Sequence, residues 1–193
     1  VMLSPWYRET FPGTRLASAR AAYDDFETIR GGGRLAVSAG GPLTGRGGDI
    51  LVIDDPLKPD EAVSEVERVK INQWFDGTAY SRLNSKAEGA IIVIMQRLHL
   101  EDLSGHLQAQ EREGWVVVSL PAIAETDEIH AYRTAFGRKR VVRRAGEALH
   151  PARESLAVLD GIRATVGSYH FAGQYQQSPV PHGGGIIKEA WLT

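Results

Sequence analysis

The sequence predicts an α/β fold built around a parallel β-sheet. Three predominantly apolar runs, at 50–53, 90–95 and 115–120, lack the polar alternation of a half-exposed strand. Strands that are buried on both faces of a parallel sheet carry such runs, so we expect three buried strands. Stretches with helical character separate the runs, and strands alternating with helices are typical of α/β domains.

The segment ahead of the first buried strand is rich in turn-forming residues. We expect a loop at 1–14, a short helix at 15–30 and a strand at 34–39. A glycine-rich loop then continues to residue 48, directly before the buried strand. Glycine and proline mark turns because they favour backbone conformations that regular elements do not use.

Two helices are predicted between the buried strands, at about 61–84 and about 100–113. Ser64 and Glu67 have the spacing of a capping box, so the regular part of the first helix is expected to begin there. The composition changes near residue 125. Beyond it we predict a hairpin or loop at 129–150 and a helix at 151–167, which divides the chain into an α/β part, 1–125, and a hairpin-and-helix linker, 126–193.

The composition excludes several kinds of site. The chain has 193 residues, a net charge of −2 and no cysteine, which excludes disulfides, thiolate metal sites and cysteine nucleophiles. Binding of nucleic acid would have to come from a local basic patch, because the chain as a whole is not basic. No run approaches the roughly 18 apolar residues of a membrane-spanning helix, so we expect no association with a membrane.

Two carboxylates follow the strand at 50–53. Asp54 and Asp55 come at its carboxyl end, which is the edge where ligands bind in open α/β sheets. Carboxylate oxygens are ligands that Mg²⁺ prefers, so we assign Asp54 to the metal and Asp55 to the water that attacks a phosphate. The alternative is that both belong to a polar turn ending at Pro56.

The loop ahead of this strand is unusually dense in glycine from residue 40 to residue 49. Glycine lets the backbone approach a ligand closely, which makes Gly45 and Gly47 candidate nucleotide contacts. Arg46, between them, could grip phosphate oxygens in pairs with its planar donors. Alternatively, it is a surface arginine in a flexible turn. The sequence contains no Gly-Lys-Ser/Thr phosphate-binding signature.

Polar residues also follow the second strand. Gln96 could orient the attacking water, and Arg97 could couple the state of the nucleotide to motion. Glu101 and Asp102 fit more simply as acidic residues in the first turn of the next helix, where they suit the helix dipole. His99 is interpreted as a structural hydrogen-bonding residue.

Taken together and in order, five segments resemble the large terminase subunit of tailed bacteriophages, the ATP-driven motor that packages DNA into procapsids. They cover most of the chain from about residue 30 onwards and lie at 40–49, 50–58, 90–103, 146–151 and 171–179. The resemblance implies a P-loop NTPase core with a RecA-like parallel sheet flanked by helices. It also implies Mg²⁺ and ATP as cofactors of the intact family member.

The resemblance gives the candidate site residues family roles. Asp54 and Asp55 fall at the Walker B position, and Gln96 with Arg97 fall at the coupling motif, where many relatives have Thr-Arg. Arg46 falls where some members place an arginine that acts on a neighbouring subunit's nucleotide. The implied partners are double-stranded DNA, the portal protein, the small terminase subunit and further copies of the large subunit, in the cytoplasm of a bacterial host.

Two parts of the family pattern are not in the sequence. The Walker A loop would precede residue 1, and the nuclease carboxylates would follow residue 193, as in a truncated reading frame, a prophage remnant or a split gene. The strand ahead of Walker A is normally central, so its absence would expose a long apolar sheet edge. Without that loop, we expect the chain alone to bind ATP poorly and hydrolyse it negligibly.

Two other functions remain open at this point. The first is a metal-dependent nuclease whose two-metal cluster would consist of Asp49, Asp54, Asp55 and Asp102. The second is a non-catalytic module that binds nucleic acid or capsid protein through 138–144, where five of seven residues are basic. That run could equally be a solvated hairpin edge whose charges prevent strand pairing.

Overall fold

The computed structural model describes residues 1–41, 43, 45–110 and 114–181. It divides the chain into two compact units, Val1–Gly47 and one that begins at Gly48. The described residues contain four α-helices and three small sheets, of which one is parallel. The predicted α/β class is confirmed at this coarse level. The predicted boundary near residue 125 falls within the second unit.

The first unit is a short helix followed by an antiparallel sheet. Helix α1 spans Pro5–Thr10, and strands β1 (Leu16–Ala21), β2 (Asp25–Thr28) and β3 (Gly33–Leu35) pair in that order. The predicted loop at 1–14 and helix at 15–30 are therefore wrong. Cross-strand pairing, including ion pairs from Arg20 to Asp25 and Glu27, overrides the helix propensity of the alanine-rich β1.

The second unit contains the parallel strands, β4 (Ile50–Asp54) and β5 (Ala90–Ile94), which pair from Ile50↔Ala90 to Asp54↔Ile94. Both strands lie where the sequence predicts them. The third predicted strand, 115–120, is not part of any β-ladder in the described residues. The described residues therefore form a two-stranded parallel sheet and not a RecA-like sheet.

Helix α2 spans Glu65–Trp74 and begins where the predicted capping box places it. The Ser64 hydroxyl accepts the N–H of Glu67 at 3.5 Å, whereas the Glu67 carboxylate accepts a hydrogen bond from Lys70. The chain continues as a wider π-helical turn at Phe75–Ala79 and a tighter 3₁₀ turn at Tyr80–Arg82. Helix α3 spans Leu103–Ala109, within the predicted 100–113, of which 111–113 lie outside the described residues.

In the described part of the chain, only one face of the parallel sheet is covered. Leu51, Ile53, Ile91 and Val93 pack with residues of α2 and α3 into the first core cluster. On the other face Ile50, Val52, Ile92 and Ile94 are exposed. The expectation that both strands are buried on both faces is therefore wrong, because the covering helices lie on one side alone.

The end of the described chain forms a hairpin and a helix, as predicted. Strands β6 (Glu128–Thr134) and β7 (Gly137–Arg143) pair antiparallel, and helix α4 spans Leu156–His170. Gly167 (φ 82°) kinks α4 where the predicted helix ends. A second core cluster contains Ala122, Ala148, Leu159 and Phe171.

None of the helices in the described residues combines the length and the apolar composition that a membrane span requires.

Candidate nucleotide site at the carboxyl end of the parallel strands

Asp54 and Asp55 lie at the carboxyl end of β4, and both are exposed. Asp54 is the last residue of the strand and pairs in register with Ile94 of β5. The N–H of Asp55 donates to the carbonyl oxygen of Ile94 at 2.9 Å. Neither carboxylate forms an ion pair with a described residue, so both remain available for a ligand.

Asp55 adopts a left-handed backbone conformation with φ 39°. This region costs a non-glycine residue roughly 1–2 kcal/mol, although aspartate tolerates it better than most. The conformation turns the chain sharply away from β4 while the N–H still bonds to β5. Local backbone strain of this kind is frequent at ligand sites, and it is also compatible with a polar turn.

The end of β5 brings a third polar side chain to the same edge. Gln96 follows Ile94 by two residues and is exposed. Because β4 and β5 run parallel and Ile94 is opposite Asp54, their carboxyl ends meet at this edge. The structure therefore brings Asp54, Asp55 and Gln96 to one end of the sheet, which is the grouping that the sequence predicts.

Arg97 differs from these three residues because its side chain is held by a buried carboxylate. Its Nε lies 3.1 Å from both carboxylate oxygens of Asp102, which is fully buried. Its main-chain N–H donates to the side-chain oxygen of Gln177 at 3.1 Å. Arg97 therefore fixes the loop after β5, and its predicted coupling role would require a change in these bonds.

Asp102 is the organising residue of this loop. It caps α3 by accepting the N–H of Gly105 at 2.8 Å, and it also accepts the N–H groups of Leu98 and His99 at 3.0 and 3.3 Å. The sequence predicts only an acidic residue in the first helical turn. An aspartate directly before a helix is a recognisable N-cap signal. The other three donors to Asp102, which are the N–H groups of Leu98 and His99 and the Nε of Arg97, reach it only because the loop is folded.

His99 has the structural role that the sequence predicts. Its Nδ1 accepts the main-chain N–H of Glu101 at 3.1 Å. Burial of the ring, followed by the nearby positive charge of Arg68, lowers the pKa of His99 below its usual value. The neutral ring that this favours is the form whose Nδ1 can accept a hydrogen bond.

Gly45, Arg46 and Gly47 of the glycine loop belong to the first unit. Arg46 Nη2 donates to Asp25 at 2.8 Å, and Gly45 has φ 77°. Gly47 ends this unit, and residues 42 and 44 of the loop lie outside the described residues. The Arg46 pair is half-exposed, and such pairs contribute about 1 kcal/mol or less. Arg46 could therefore leave Asp25 at little cost.

The four acidic residues of the nuclease hypothesis do not form one cluster. Asp49 precedes β4, accepts a hydrogen bond from Asn84, and lies about 16 Å along the extended chain from Asp54. Asp102 is buried among its four donors. Within the described residues, no group of three or more histidine, aspartate or glutamate side chains could hold a metal ion.

A cleft of about 640 Å³ separates β5 from the chain at 115–120. Backbone and apolar side chains of 92–95 line one side, and 115–120 lines the other. Val116 and Val118 are 87% and 69% exposed, although their sequence is that of a buried strand. The predicted third strand therefore lines the same cleft as β5 but forms no ladder with it in the described residues.

The strand end offers two free carboxylates and an amide at one edge of a parallel sheet. Such groups can hold a hard divalent cation through its water shell and position a water molecule. Nothing in the described residues supplies a glycine-rich cradle with a lysine for phosphates beside them. Comparison of the chain with known protein families, with curated proteins and with solved structures finds no match.

Proposed function

We propose that this chain is a part of a terminase large-subunit-like ATPase, which drives double-stranded DNA into a phage procapsid, and that it is inactive alone. The observation that carries the proposal is the pair of exposed, unpaired carboxylates at the carboxyl end of β4, beside Gln96 at the end of β5. Ligand sites of open α/β sheets form at this edge.

In the proposed site each residue has a distinct task. Asp54 would hold the hydrated Mg²⁺, which supplies charge neutralisation of the nucleotide phosphates when bound. Asp55, which the left-handed turn separates from Asp54, would accept a hydrogen bond from the attacking water. Gln96 would fix the orientation of that water from the neighbouring strand. Arg46 would act on the nucleotide of a neighbouring copy after leaving Asp25.

The incomplete sheet supports the proposal. Parallel sheets are normally covered on both faces and have more than two strands, yet one face of β4 and β5 is open. β5 also has a free edge along the cleft. A strand added at that edge would extend the parallel sheet beside β5. In the resembled family, the strand ahead of the phosphate-binding loop is central.

We predict that the isolated chain releases no phosphate from ATP above the rate of a control without protein. The site has metal and water ligands but no backbone cradle for the β- and γ-phosphates, and positioning accounts for most phosphoryl-transfer catalysis. A coupled phosphate-release assay with Mg²⁺ measures this. Metal-dependent turnover that is abolished in Asp54→Asn would show that the site is complete and that the chain is not a fragment.

We also predict weak, local binding of a divalent cation. Mn²⁺ added to the isotope-labelled chain should broaden the amide NMR signals of Asp54, Asp55 and 96–98 before others, because paramagnetic broadening is short-ranged. Asp54→Asn should abolish this selectivity. Asp60→Asn, at an exposed acid on the loop after β4, should not affect it. Broadening spread evenly over the acidic surface would contradict a metal role for the strand end.

A further inference from the structure

The arginines of the hairpin are of two kinds: two form ion pairs at its base, and the other three form none with a described residue. Arg143 is 6% exposed, and its guanidinium donates to Glu128 at 3.0 Å and to the carbonyl oxygen of Pro121 at 2.8 Å. Arg144 is paired with Asp127. The Ala145 N–H and the Arg144 side chain, both donating to Asp127, lower the pKa of that carboxyl. Both arginines therefore hold the base of the hairpin.

The remaining arginines lie together on one face. The β6–β7 register places Arg133 directly opposite Arg138, and Ala131 opposite Arg140. Because side chains alternate between faces along a strand, Arg133, Arg138 and Arg140 share a face, while Lys139 and Tyr132 lie on the other. None of the three arginines forms an ion pair with a described residue.

This arginine face is turned to solvent. All of its residues are exposed, whereas the opposite face carries the partly buried Glu128 and His130 and the buried Arg143. Like charges directly opposite each other destabilise a strand pair, so the Arg133–Arg138 pair has an energetic cost that nothing in the described residues offsets. A bound polyanion would remove that cost.

We propose that the arginine face of the hairpin (Arg133, Arg138 and Arg140) binds the phosphate backbone of double-stranded nucleic acid. Three guanidinium groups on one face can each donate two hydrogen bonds to phosphate oxygens. A two-stranded ribbon also has the dimensions that the major groove admits. Phe136, 94% exposed at the turn, adds an apolar contact at the tip. The inference rests on the hairpin alone and not on Asp54.

The test is the salt dependence of binding of a mixed-sequence DNA duplex, measured by fluorescence anisotropy between roughly 50 and 200 mM salt. Each phosphate contact contributes about 0.9 to the slope of log K against log salt, so R133Q/R138Q/R140Q should lower the slope by about 2 to 3. The matched control compares single charges on the same strand: Arg138→Gln should lower the slope by about 0.9, whereas Lys139→Gln, on the other face, should leave it almost unchanged.

Four further measurements test the proposal. Circular dichroism should show that the triple variant remains folded, because its side chains are exposed, and a triple Arg→Lys variant should restore most of the slope. The duplex should bind more tightly than a single strand of the same sequence. Asp54→Asn should bind DNA like the wild type even if the proposed ATPase function fails.

Several results would overturn the proposal. One is binding by the wild type that does not depend on salt. Another is equal loss of slope in Arg138→Gln and in Lys139→Gln, which would indicate a general charge effect and not a specific arginine face. Equal or tighter binding of the single strand would contradict docking of the ribbon on a duplex.

Discussion

Replacing Asp102 with alanine is expected to destabilise the second unit by about 3–5 kcal/mol, because it leaves buried donors without their acceptor. Asp102 is fully buried and receives hydrogen bonds from Arg97, two loop N–H groups and the first turn of α3. Its loss removes the helix cap and the partner of Arg97 in one step. Urea denaturation followed by tryptophan fluorescence measures the free energy of unfolding.

The control is the adjacent acid. Glu101 is 72% exposed on its side chain and pairs at 3.1 Å with Arg68, which is buried but also donates to the carbonyl oxygen of Ala62, so Glu101→Ala should cost about 1–2 kcal/mol, less than Asp102→Ala. Asp102→Asn, which keeps an acceptor oxygen for the cap but loses the charge, should lie between the two. If Asp102→Ala costs no more than Glu101→Ala, the carboxylate does not organise the loop.

The second large effect is expected for Gly105→Ala in the first turn of α3. A Cβ at this position would collide with the carbonyl oxygen of Leu100 and would lie 3.1 Å from Arg97 Nη2. Main-chain atoms cannot rotate away as a flexible side chain can, so the loop itself would have to shift. We expect a loss of about 3 kcal/mol or more.

Gly161→Ala is the matched control, because it makes the same change at a helical glycine. A Cβ at Gly161 in α4 meets nothing within 4 Å, and alanine in a helix interior is more favourable than glycine by about 0.5–1 kcal/mol. The two substitutions should therefore change the free energy of unfolding in opposite directions. A stable Gly105→Ala variant would show that the loop between β5 and α3 relaxes easily.

The contacts of Asp102 and Gly105 restrict how Arg97 could move. Its side chain is joined to Asp102, and the space around it is closed by the main chain at Leu100 and Gly105. Gly173 also packs against the Arg97 carbonyl oxygen, where a Cβ would come within 2.6 Å. Motion of Arg97 alone would leave a buried carboxylate unpaired, which is costly. Any coupling role must therefore move the loop and Asp102 together with Arg97.

Patterns local in sequence predict several elements correctly. The apolar runs of β4 and β5, the start of α2 at Ser64 and the hairpin at 128–143 all depend on side chains a few residues apart. The same is true of the acidic strand end, because Asp54 and Asp55 follow β4 directly. Alternation, caps and turns are short-range features, so a single sequence records them.

Other features depend on neighbours that are distant in sequence. The alanine-rich segment at 16–21 becomes a strand because β2 pairs with it, whereas the apolar segment 115–120 has no ladder partner among the described residues. Nothing in the apolar sequence of β4 could show that one of its faces is open. Whether a sheet face is buried depends on the elements that pack against it, and these are distant in sequence.

The sequence alone determined the α/β character of the chain, the positions of its two parallel strands and the acidic pair at the end of the first. The tertiary structure decided which charges are occupied: Asp102 holds Arg97, Asp25 holds Arg46, and Glu128 holds Arg143. It thereby left Asp54, Asp55 and the arginine face of the hairpin without partners among the described residues. A charged side chain is available for function only after folding has determined which opposite charges lie within reach.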